Sequence, residues 1–245
     1  MKQDKIYLNK NKVSIKLYIG FLLLCMSFSF RGEAQAVVDE LVKINKKYKE
    51  IQSYSANLKA YFYDTLSSVV PSETKIGEIK QSKDKRYFRL GTDELVSSTE
   101  SIFQLDQDYK EIHYMPNQTR KEEIDWANMA EQLNKLLSYC DESTLKNEGK
   151  STVISLLQCA GSGYSKIVLK YSSSTFLIEQ VVLHYIDKTR IEMNYNNIQV
   201  NLKVDEKYFD LSKYLTGKKE LAKPLAKYAN YTFYNYYQEY IKVKE

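Results

Sequence analysis

Histidine side chains are the first candidates for metal binding or general acid–base chemistry in this chain. The only two, His113 and His184, each lie in an alternating strand pattern beside a tyrosine. A zinc site would need a second histidine or a cysteine pair at ligand spacing, and neither histidine has such a neighbour. We therefore predict two half-buried structural histidines, no metal site and no cofactor.

Motifs for nucleophilic catalysis and nucleotide binding are missing from the sequence. It contains no phosphate-binding loop, nucleophile elbow, zinc-protease helix or dinucleotide fingerprint. The Gly-Ser-Gly segment at 161–163 lacks a further downstream glycine and indicates a turn. Glu122, Glu123 and Asp125 lie where the start of a helix favours negative charge, which explains them without catalysis. We assign no catalytic residue and expect a non-enzymatic protein.

Cys140 and Cys159 are the two cysteines that remain if an N-terminal targeting signal is removed. In an oxidising compartment they could form a disulfide that closes a loop of about 20 residues, which is worth roughly 3 kcal/mol. The bridge would join a helix in the middle of the chain to the strand that follows it. The alternative is a pair of small buried thiols.

The first 36 residues have the features of a secretory signal. Five lysines precede the apolar run at 17–30, and Ala34-Gln35-Ala36 offers small residues for cleavage after Ala36. The apolar run is shorter than the roughly 20 residues that cross a bilayer as a helix. An uncleaved membrane anchor is the alternative. The sequence therefore predicts a periplasmic or secreted protein whose mature chain begins at Val37.

The charge of the mature chain is nearly balanced. Without residues 1–36 it has 30 basic and 29 acidic residues, a net charge of +1. A nucleic-acid partner would require clustered lysine and arginine, so none is expected. The hydrophobic content of 43% is enough for a sizeable core, and the length allows one or two domains.

Hydrophobic periodicity predicts a helix first and then many short strands. Val37, Leu41, Ile44, Tyr48 and Ile51 form one apolar stripe of a helix. From residue 53 the period changes to two, and strands are predicted at 53–63, 75–81, 86–90, 101–105 and 110–115, with turns between them. Strands at this spacing without intervening helices indicate an antiparallel sheet, and a sheet of this length must curl.

In the second half of the chain, a helix is again predicted before a series of strands. A helix is predicted at 121–140, a strand at 152–159, and an antiparallel meander between Lys166 and Phe209. Within the meander, Asn196-Asn197 is predicted to form a tight hairpin. The tyrosine-rich end at 221–245 is compatible with either helix or strand.

Several short motifs together resemble the periplasmic lipoprotein carrier family, LolA. The similarity covers residues 37 to about 211, and the motifs that support it are Ile51-Gln52-Ser53-Tyr54-Ser55-Ala56, Gly77-Glu78-Ile79, Ile102-Phe103-Gln104-Leu105-Asp106 and Tyr208-Phe209-Asp210-Leu211. The resemblance implies an α+β fold: a strongly curved antiparallel β-sheet, an open half-barrel, with helices covering its concave face. The domains are then a signal peptide at 1–36, a LolA-like half-barrel at 37–211, and a Tyr-rich C-terminal extension at 212–245.

The resemblance also implies a cavity for acyl chains and a partner that is a lipid or a lipidated protein. The residues predicted to line the apolar cavity are Leu58, Phe62, Phe103, Leu105, Ile112, Tyr114, Leu169, Val182, Met193 and Val200. Trp126, Met129 and Leu133 are the lid candidates. The family's lid-locking arginine has no matching Lys-Arg-Pro motif here, and Lys83 and Arg86 are the nearest candidates.

Two functional hypotheses follow. The first is a carrier that holds a lipid or lipidated protein without catalysing a reaction. The second is a structural or adaptor protein of an envelope or secretion assembly, which binds a protein partner through the C-terminal tyrosines. In the alternative to this second hypothesis, those tyrosines only pack onto the sheet.

Overall fold

A computed structural model of the chain describes residues 35–117, 137–159 and 161–238. The predicted signal segment up to residue 34, most of the predicted helix at 121–140, and the lid candidates Trp126, Met129 and Leu133 lie outside these residues. Among the described residues, no helix combines the length and apolar character needed to span a membrane.

An amphipathic helix directly precedes the first strand of the sheet. Helix α1 covers residues 35–50, and Val37, Leu41 and Ile44 are fully buried along one side of it. Their spacing of four and three residues places them on one face, as the sequence predicts. Residues 51–52 then connect α1 directly to the first strand.

The described residues form fourteen strands, and eleven of them lie between Ser53 and Val200. They are β1 (Ser53–Tyr63), β2 (Glu73–Ser82), β3 (Lys85–Leu90), β4 (Asp93–Ser97), β5 (Ser101–Asp106), β6 (Glu111–Pro116), β7 (Cys140–Glu148), β8 (Ser151–Cys159), β9 (Tyr164–Ser172), β10 (Ile178–Tyr185) and β11 (Arg190–Val200). Short 3-10 turns then alternate with β12 (Leu215–Thr216), β13 (Lys223–Pro224) and β14 (Thr232–Asn235).

Twelve of these strands form one open sheet. Their order is β14-β6-β5-β4-β3-β2-β1-β11-β10-β9-β8-β7, and β12 pairs with β13 separately. Every neighbouring pair is antiparallel except β14 and β6, which run parallel. This architecture confirms the predicted fold class, a curved antiparallel sheet that does not close into a barrel, with a helix packed on one face.

Two strand predictions need correction. The segment 93–97 was expected to be a turn, but it forms β4 between β3 and β5. Cys140 was expected at the end of a helix, but it begins β7, which pairs with β8 along its whole length. Strand β7 is largely exposed and polar, so it lacks the apolar alternation from which strands were predicted.

The predicted hairpin at Asn196-Asn197 is also wrong, because one continuous strand, β11, runs through both residues. The register with β1 shifts at this point, so that Ser55 opposes Gln199 while Asn57 opposes Asn196. Asn197 has a φ of 52°. The extra residue is therefore absorbed in a β-bulge, which inserts one residue into a strand without ending it.

Candidate functional site

The sheet has an apolar cluster on each face, and the two clusters lie over different halves of it. On the first face, Ala56 of β1 opposes Ile79 of β2, which opposes Phe88 of β3. All three belong to or pack against the cluster that contains the buried side of α1. We call this the helix face. Neighbouring Tyr87 on β3 points the other way and belongs to the second cluster.

The second cluster is covered by the C-terminal part of the chain. Phe103 of β5 stacks on Tyr214 with ring centroids 4.4 Å apart, and Tyr114 of β6 lies 4.9 Å from Tyr237. Tyr87 lies 5.3 Å from Tyr208. We call this the tail face. Residues 208–237 thus cover β3–β6 on the face opposite to that covered by α1.

The predicted cavity residues divide between these faces. Leu58 and Leu169 are buried on the helix face, and Met193 and Val200 pack half-buried against the same cluster. Phe62 follows Ala60 at a spacing of two on this face and is half-buried. These five residues share one surface that α1 partly covers.

The other four buried candidates do not belong to that surface. Phe103, Leu105, Ile112 and Tyr114 are packed in the tail-face cluster. Their strands show the same alternation as β1, but period two alone does not tell which face of a sheet a residue occupies. The prediction of one cavity lined by all ten residues is therefore corrected.

Val182 also lies on the wrong face for the predicted cavity. Its neighbour Val181 opposes Met193 on β11 and Leu169 on β9, and so shares their face. Val182 opposes Glu192 and points away from the helix face. Val181 and Leu183 of β10 pack toward the cluster under α1, which also contains Ile178 at the start of the same strand.

Helix α1 is attached to the helix face by polar contacts as well as apolar ones. The Tyr171 hydroxyl donates a hydrogen bond of 2.5 Å to the Glu40 carboxylate, and the backbone N–H of Ile178 donates to the Tyr48 hydroxyl at 3.1 Å. Burial disfavours the ionised form of Glu40 and by itself would raise the pKa of this carboxyl group. Hydrogen bonds from Lys43 and Tyr171 outweigh burial, so the pKa of Glu40 is lowered. Burial also raises the pKa of Tyr48 to about 12.

Among the described residues, a small cavity lies beside the C-terminal end of α1. The cavity next to Tyr48, Tyr54, Ile79 and Tyr195 has a volume of about 20 Å³, which is about the size of one water molecule. An acyl chain does not fit there while α1 is in this position. Tyr48 lies on the apolar stripe that was predicted for this helix. The contact between Tyr171 and Glu40 was not predicted, because a contact between distant residues leaves no periodic signal in the sequence.

The tail face contains a half-buried carboxylate site that the sequence did not reveal. The hydroxyls of Tyr87 and Tyr214 both donate hydrogen bonds to the Oε2 atom of Glu94, the first at 2.9 Å. Burial and the neighbouring Glu94 charge raise the pKa of both phenols. Neutral phenols are therefore held as donors to Glu94, and they tie the C-terminal segment to β3 and β4.

The lid-lock candidates occupy two different positions. Lys83 is exposed in the turn between β2 and β3, where its φ is 54° and its backbone N–H donates to the Gln52 carbonyl at 2.9 Å. Arg86 is half-buried within β3, opposite Gln81 and Ser97. The helix that either residue was predicted to hold lies mostly outside the described residues.

Cys140 and Cys159 are joined by a disulfide. They are directly opposite each other in the β7–β8 pair, so the bridge fastens the two strands at the end remote from their turn at Gly149. The predicted partner elements are corrected accordingly: the disulfide joins two strands rather than a helix and a strand.

The histidines take part in local polar contacts. His113 is hydrogen-bonded to Glu111 and to the Tyr236 hydroxyl, each at 3.1 Å, and its ring stacks 4.8 Å from Tyr234. Burial, followed by the charges of Lys166 and Arg190, lowers the pKa of His184. Within the described parts of the chain, no three His, Cys, Asp or Glu side chains are grouped closely enough to hold a metal ion.

Comparison with known proteins identifies no family by sequence but finds similar folds. No protein-family profile and no curated protein sequence matches the chain. An uncharacterized conserved protein from Thermus thermophilus is 7% identical with a TM-score of 0.45, over 72% of this chain and 93% of its own. The MucA/MucB complex of Pseudomonas aeruginosa gives 12% identity and a TM-score of 0.45, over 77% of this chain and 62% of the other.

A LolA superfamily protein from Nitrosomonas europaea is also similar, with 9% identity and a TM-score of 0.32, over 74% of this chain and 99% of the other. At such identities the similarity concerns the fold alone.

Proposed function

We propose that the protein binds the acyl chains of a lipid or lipidated protein on its helix face and acts as a carrier rather than an enzyme. One observation supports this most directly: among the described residues, the amphipathic helix α1 lies over a broad apolar surface of the sheet. Val37, Leu41 and Ile44 supply the buried side of that helix. Only residues 51–52 connect it to β1, so α1 can move away without breaking a strand pairing.

Displacement of α1 is required in this proposal, because the cavity of about 20 Å³ beneath it has no room for a ligand. Moving α1 would uncover Leu58, Leu169 and their neighbours. An acyl chain could then take the place of the helix's apolar side chains. About ten methylenes at about 0.8 kcal/mol each would offset on the order of 8 kcal/mol of lost helix packing.

The proposed location is the periplasm or another compartment outside the cytoplasm. The Cys140–Cys159 disulfide fits an oxidising environment, and it agrees with the secretory signal inferred at 1–36. Cleavage after Ala36 would leave Val37, Leu41 and Ile44 in the mature chain, so the apolar side of α1 would remain complete.

The adaptor alternative finds less support. It relies on tyrosines of the C-terminal extension as a binding surface, yet Tyr214, Tyr228 and Tyr237 are buried in the tail-face cluster. Their position favours a role in packing. A protein partner would have to use the tyrosines that stay exposed, such as Tyr234.

The carrier proposal is tested by uptake of a fluorescent fatty acid by the mature chain, together with hydrogen exchange of the α1 amides. We expect saturable binding and faster exchange in α1 when ligand is bound. Tyr171→Phe should bind about 5- to 10-fold more tightly, because the closed state loses a hydrogen bond to a carboxylate. Lys43→Gln, which alters an exposed ion pair of the same carboxylate, is the matched control.

No uptake by the wild type or by Tyr171→Phe, together with an unliganded mass in native mass spectrometry after mild extraction, would refute the carrier proposal.

A further inference from the structure

Exposed apolar side chains are concentrated at one end of the sheet. At this end lie the β1–β2 connection at 64–72, the β5–β6 connection at 107–110 and the β10–β11 connection at 186–189. We call this end the loop rim. The large apolar side chains exposed there, among the residues that the structure describes, are Leu66, Val69, Val70, Tyr109, Tyr139 and Ile186.

The degree of exposure is high at the loop tips. Val69 is 90% exposed, Val70 78%, Tyr109 79% and Ile186 63%. Single exposed apolar residues are common on proteins, but a concentration of them in one region indicates an interaction surface. The two adjacent valines at the tip of the nine-residue β1–β2 connection therefore indicate a binding partner that buries them.

The tip of the β1–β2 connection is held in place rather than loosely attached. The Arg190 guanidinium donates to the carbonyls of Leu66 at 3.4 Å and Ser68 at 3.1 Å, while it lies 3.8 Å from the centre of the Tyr63 ring. The backbone N–H of Ser72 donates to the Phe62 carbonyl at 2.8 Å. These contacts fix the connection on both sides of the valines and keep the valines directed outward.

Apolar surface continues from the loop rim to the helix face. Near the rim, Phe62 of β1 opposes Ile191 of β11, and both are only half-buried. Farther from the rim, Leu58 and Tyr195 are also opposite each other, and both are buried. The burial of the helix face thus decreases toward the same end of the sheet at which the exposed valines lie.

We propose that the loop rim docks on a lipid bilayer and inserts Val69, Val70 and Ile186 into its interfacial region. The apolar tips belong to separate connections, and a fluid bilayer can accommodate separate tips without a matching pocket. Tyr109 and Tyr139 supply the amphipathic rings that favour the boundary between headgroups and acyl chains. This inference rests on the proposed function for its purpose, since docking would place the less buried end of the helix face at the membrane.

The charges of the loop rim indicate which lipids are needed. Lys110 and Lys188 are exposed there, and so are Asp64, Asp108 and Asp187. Because both signs are present, attraction to anionic headgroups is not the source of binding. Insertion of apolar tips predicts binding to zwitterionic phosphatidylcholine vesicles that is insensitive to salt, in contrast to binding by a basic surface.

Vesicle flotation with the mature chain tests this proposal. We expect the wild type to bind phosphatidylcholine vesicles equally at low and high salt, and added phosphatidylglycerol to change little. The double variant Val69→Ser, Val70→Ser should lower the partition coefficient about 10-fold or more, because two apolar side chains no longer enter the bilayer. Ile186→Ser, in a different connection, should lower it independently.

The matched control is Leu202→Ser. Leu202 is 57% exposed, and it follows the other end of β11. This variant should bind vesicles like the wild type. All three variants change exposed residues, so their thermal unfolding should match the wild type and show that any loss of binding is local.

The proposal is overturned if the wild type does not float with vesicles, if binding requires anionic lipid and disappears at high salt, or if the valine variant binds as well as the wild type. It is also overturned if the valine variant instead abolishes self-association measured by sedimentation. Uptake of the soluble fluorescent fatty acid is measured in parallel. Docking can then fail while uptake persists, and uptake can fail while docking persists, so the two proposals are judged separately.

Discussion

The hydroxyl of Tyr171 donates a 2.5 Å hydrogen bond to the carboxylate of Glu40, and it joins residues 131 positions apart in the chain. Tyr171 belongs to β9 and Glu40 to α1. This bond is therefore a direct polar link between the helix and the sheet that it covers. Lys43 reinforces it by an ion pair of 2.6 Å with the same carboxylate.

Removal of this bond should loosen α1. We expect Tyr171→Phe to lower the free energy of unfolding by about 1–2 kcal/mol, because Glu40 loses a donor but can still be hydrated. Lys43→Gln should cost less than about 0.5 kcal/mol, since the lysine is exposed. Urea denaturation measures both. Equal losses in the two variants would contradict the assigned role of Tyr171.

The same carboxylate should make α1 attachment depend on pH. The pKa of folded Glu40 lies below its ordinary value of 4.5, because the donors Lys43 and Tyr171 outweigh the effect of burial. Its stabilising contribution is then complete above the ordinary pKa and is lost as the pH falls through the folded value. Wild type should therefore exceed Glu40→Gln in stability at neutral pH, and the difference should shrink below about pH 4.5. A difference that grows on acidification would refute this assignment.

Reduction of the Cys140–Cys159 disulfide should destabilise the β7–β8 pair. The expected cost is about 3 kcal/mol for a loop of this length, and hydrogen exchange should rise first in β7, which lies at the edge of the sheet. Thiol labelling of the denatured, non-reduced mature chain should find no free thiol. Two reactive thiols per chain would show that the bridge is not formed.

The C-terminal segment should be needed for stability. Tyr237 is buried against Tyr114, and its hydroxyl donates to the Glu100 carbonyl at 2.8 Å. Tyr237→Ala should cost about 3 kcal/mol or more, whereas Tyr234→Ala, at a position that is 38% exposed, should cost less than about 1 kcal/mol. Thermal unfolding compares the two. If Tyr237→Ala proves as mild as Tyr234→Ala, the segment does not stabilise the sheet.

Gly77 on β2 should not tolerate a side chain. A Cβ atom at this position would lie 1.9 Å from the Arg89 carbonyl oxygen of β3, a distance that forces the two strands apart. We expect Gly77→Ala to cost more than about 2 kcal/mol. Ile76→Ala changes the exposed neighbouring residue and should cost less than about 1 kcal/mol. Soluble yield and urea denaturation provide the measurement, and a fully stable Gly77→Ala protein would contradict the close approach.

Part of the fold could be predicted from periodicity, and the limits of that prediction have identifiable causes. The apolar side of β11 changes from odd positions, Met193 and Tyr195, to even positions, Ile198 and Val200. A two-residue hairpin and a bulge both explain such a change, because each interrupts the alternation of the strand at Asn196-Asn197. The pairing with β1 distinguishes them, and that pairing is not encoded within the segment itself.

The site was predicted less well than the fold. Leu58 and Leu105 occur in similar alternating strands but lie on opposite faces of the sheet. The face of the sheet on which each apolar side chain is buried depends on the element that covers that half of the sheet. Leu58 packs in the cluster of α1 and Leu105 in that of the C-terminal segment, and neither covering element belongs to the strand that it covers. Strand β7 was missed for a different reason: it is an exposed edge strand whose polar side chains leave no apolar pattern.

The two covers of the sheet come from opposite ends of the chain, and this arrangement constrains biogenesis. Phe103, Leu105 and Ile112 are translated long before residues 208–237, which bury them. During synthesis the apolar surface of these strands stays uncovered, and the last strand, β14, can pair with β6 only when the polypeptide is nearly complete. Folding of this half of the sheet therefore finishes only when the C-terminal segment has been synthesised, and chaperones that recognise incompletely folded chains would have their main target in β3–β6.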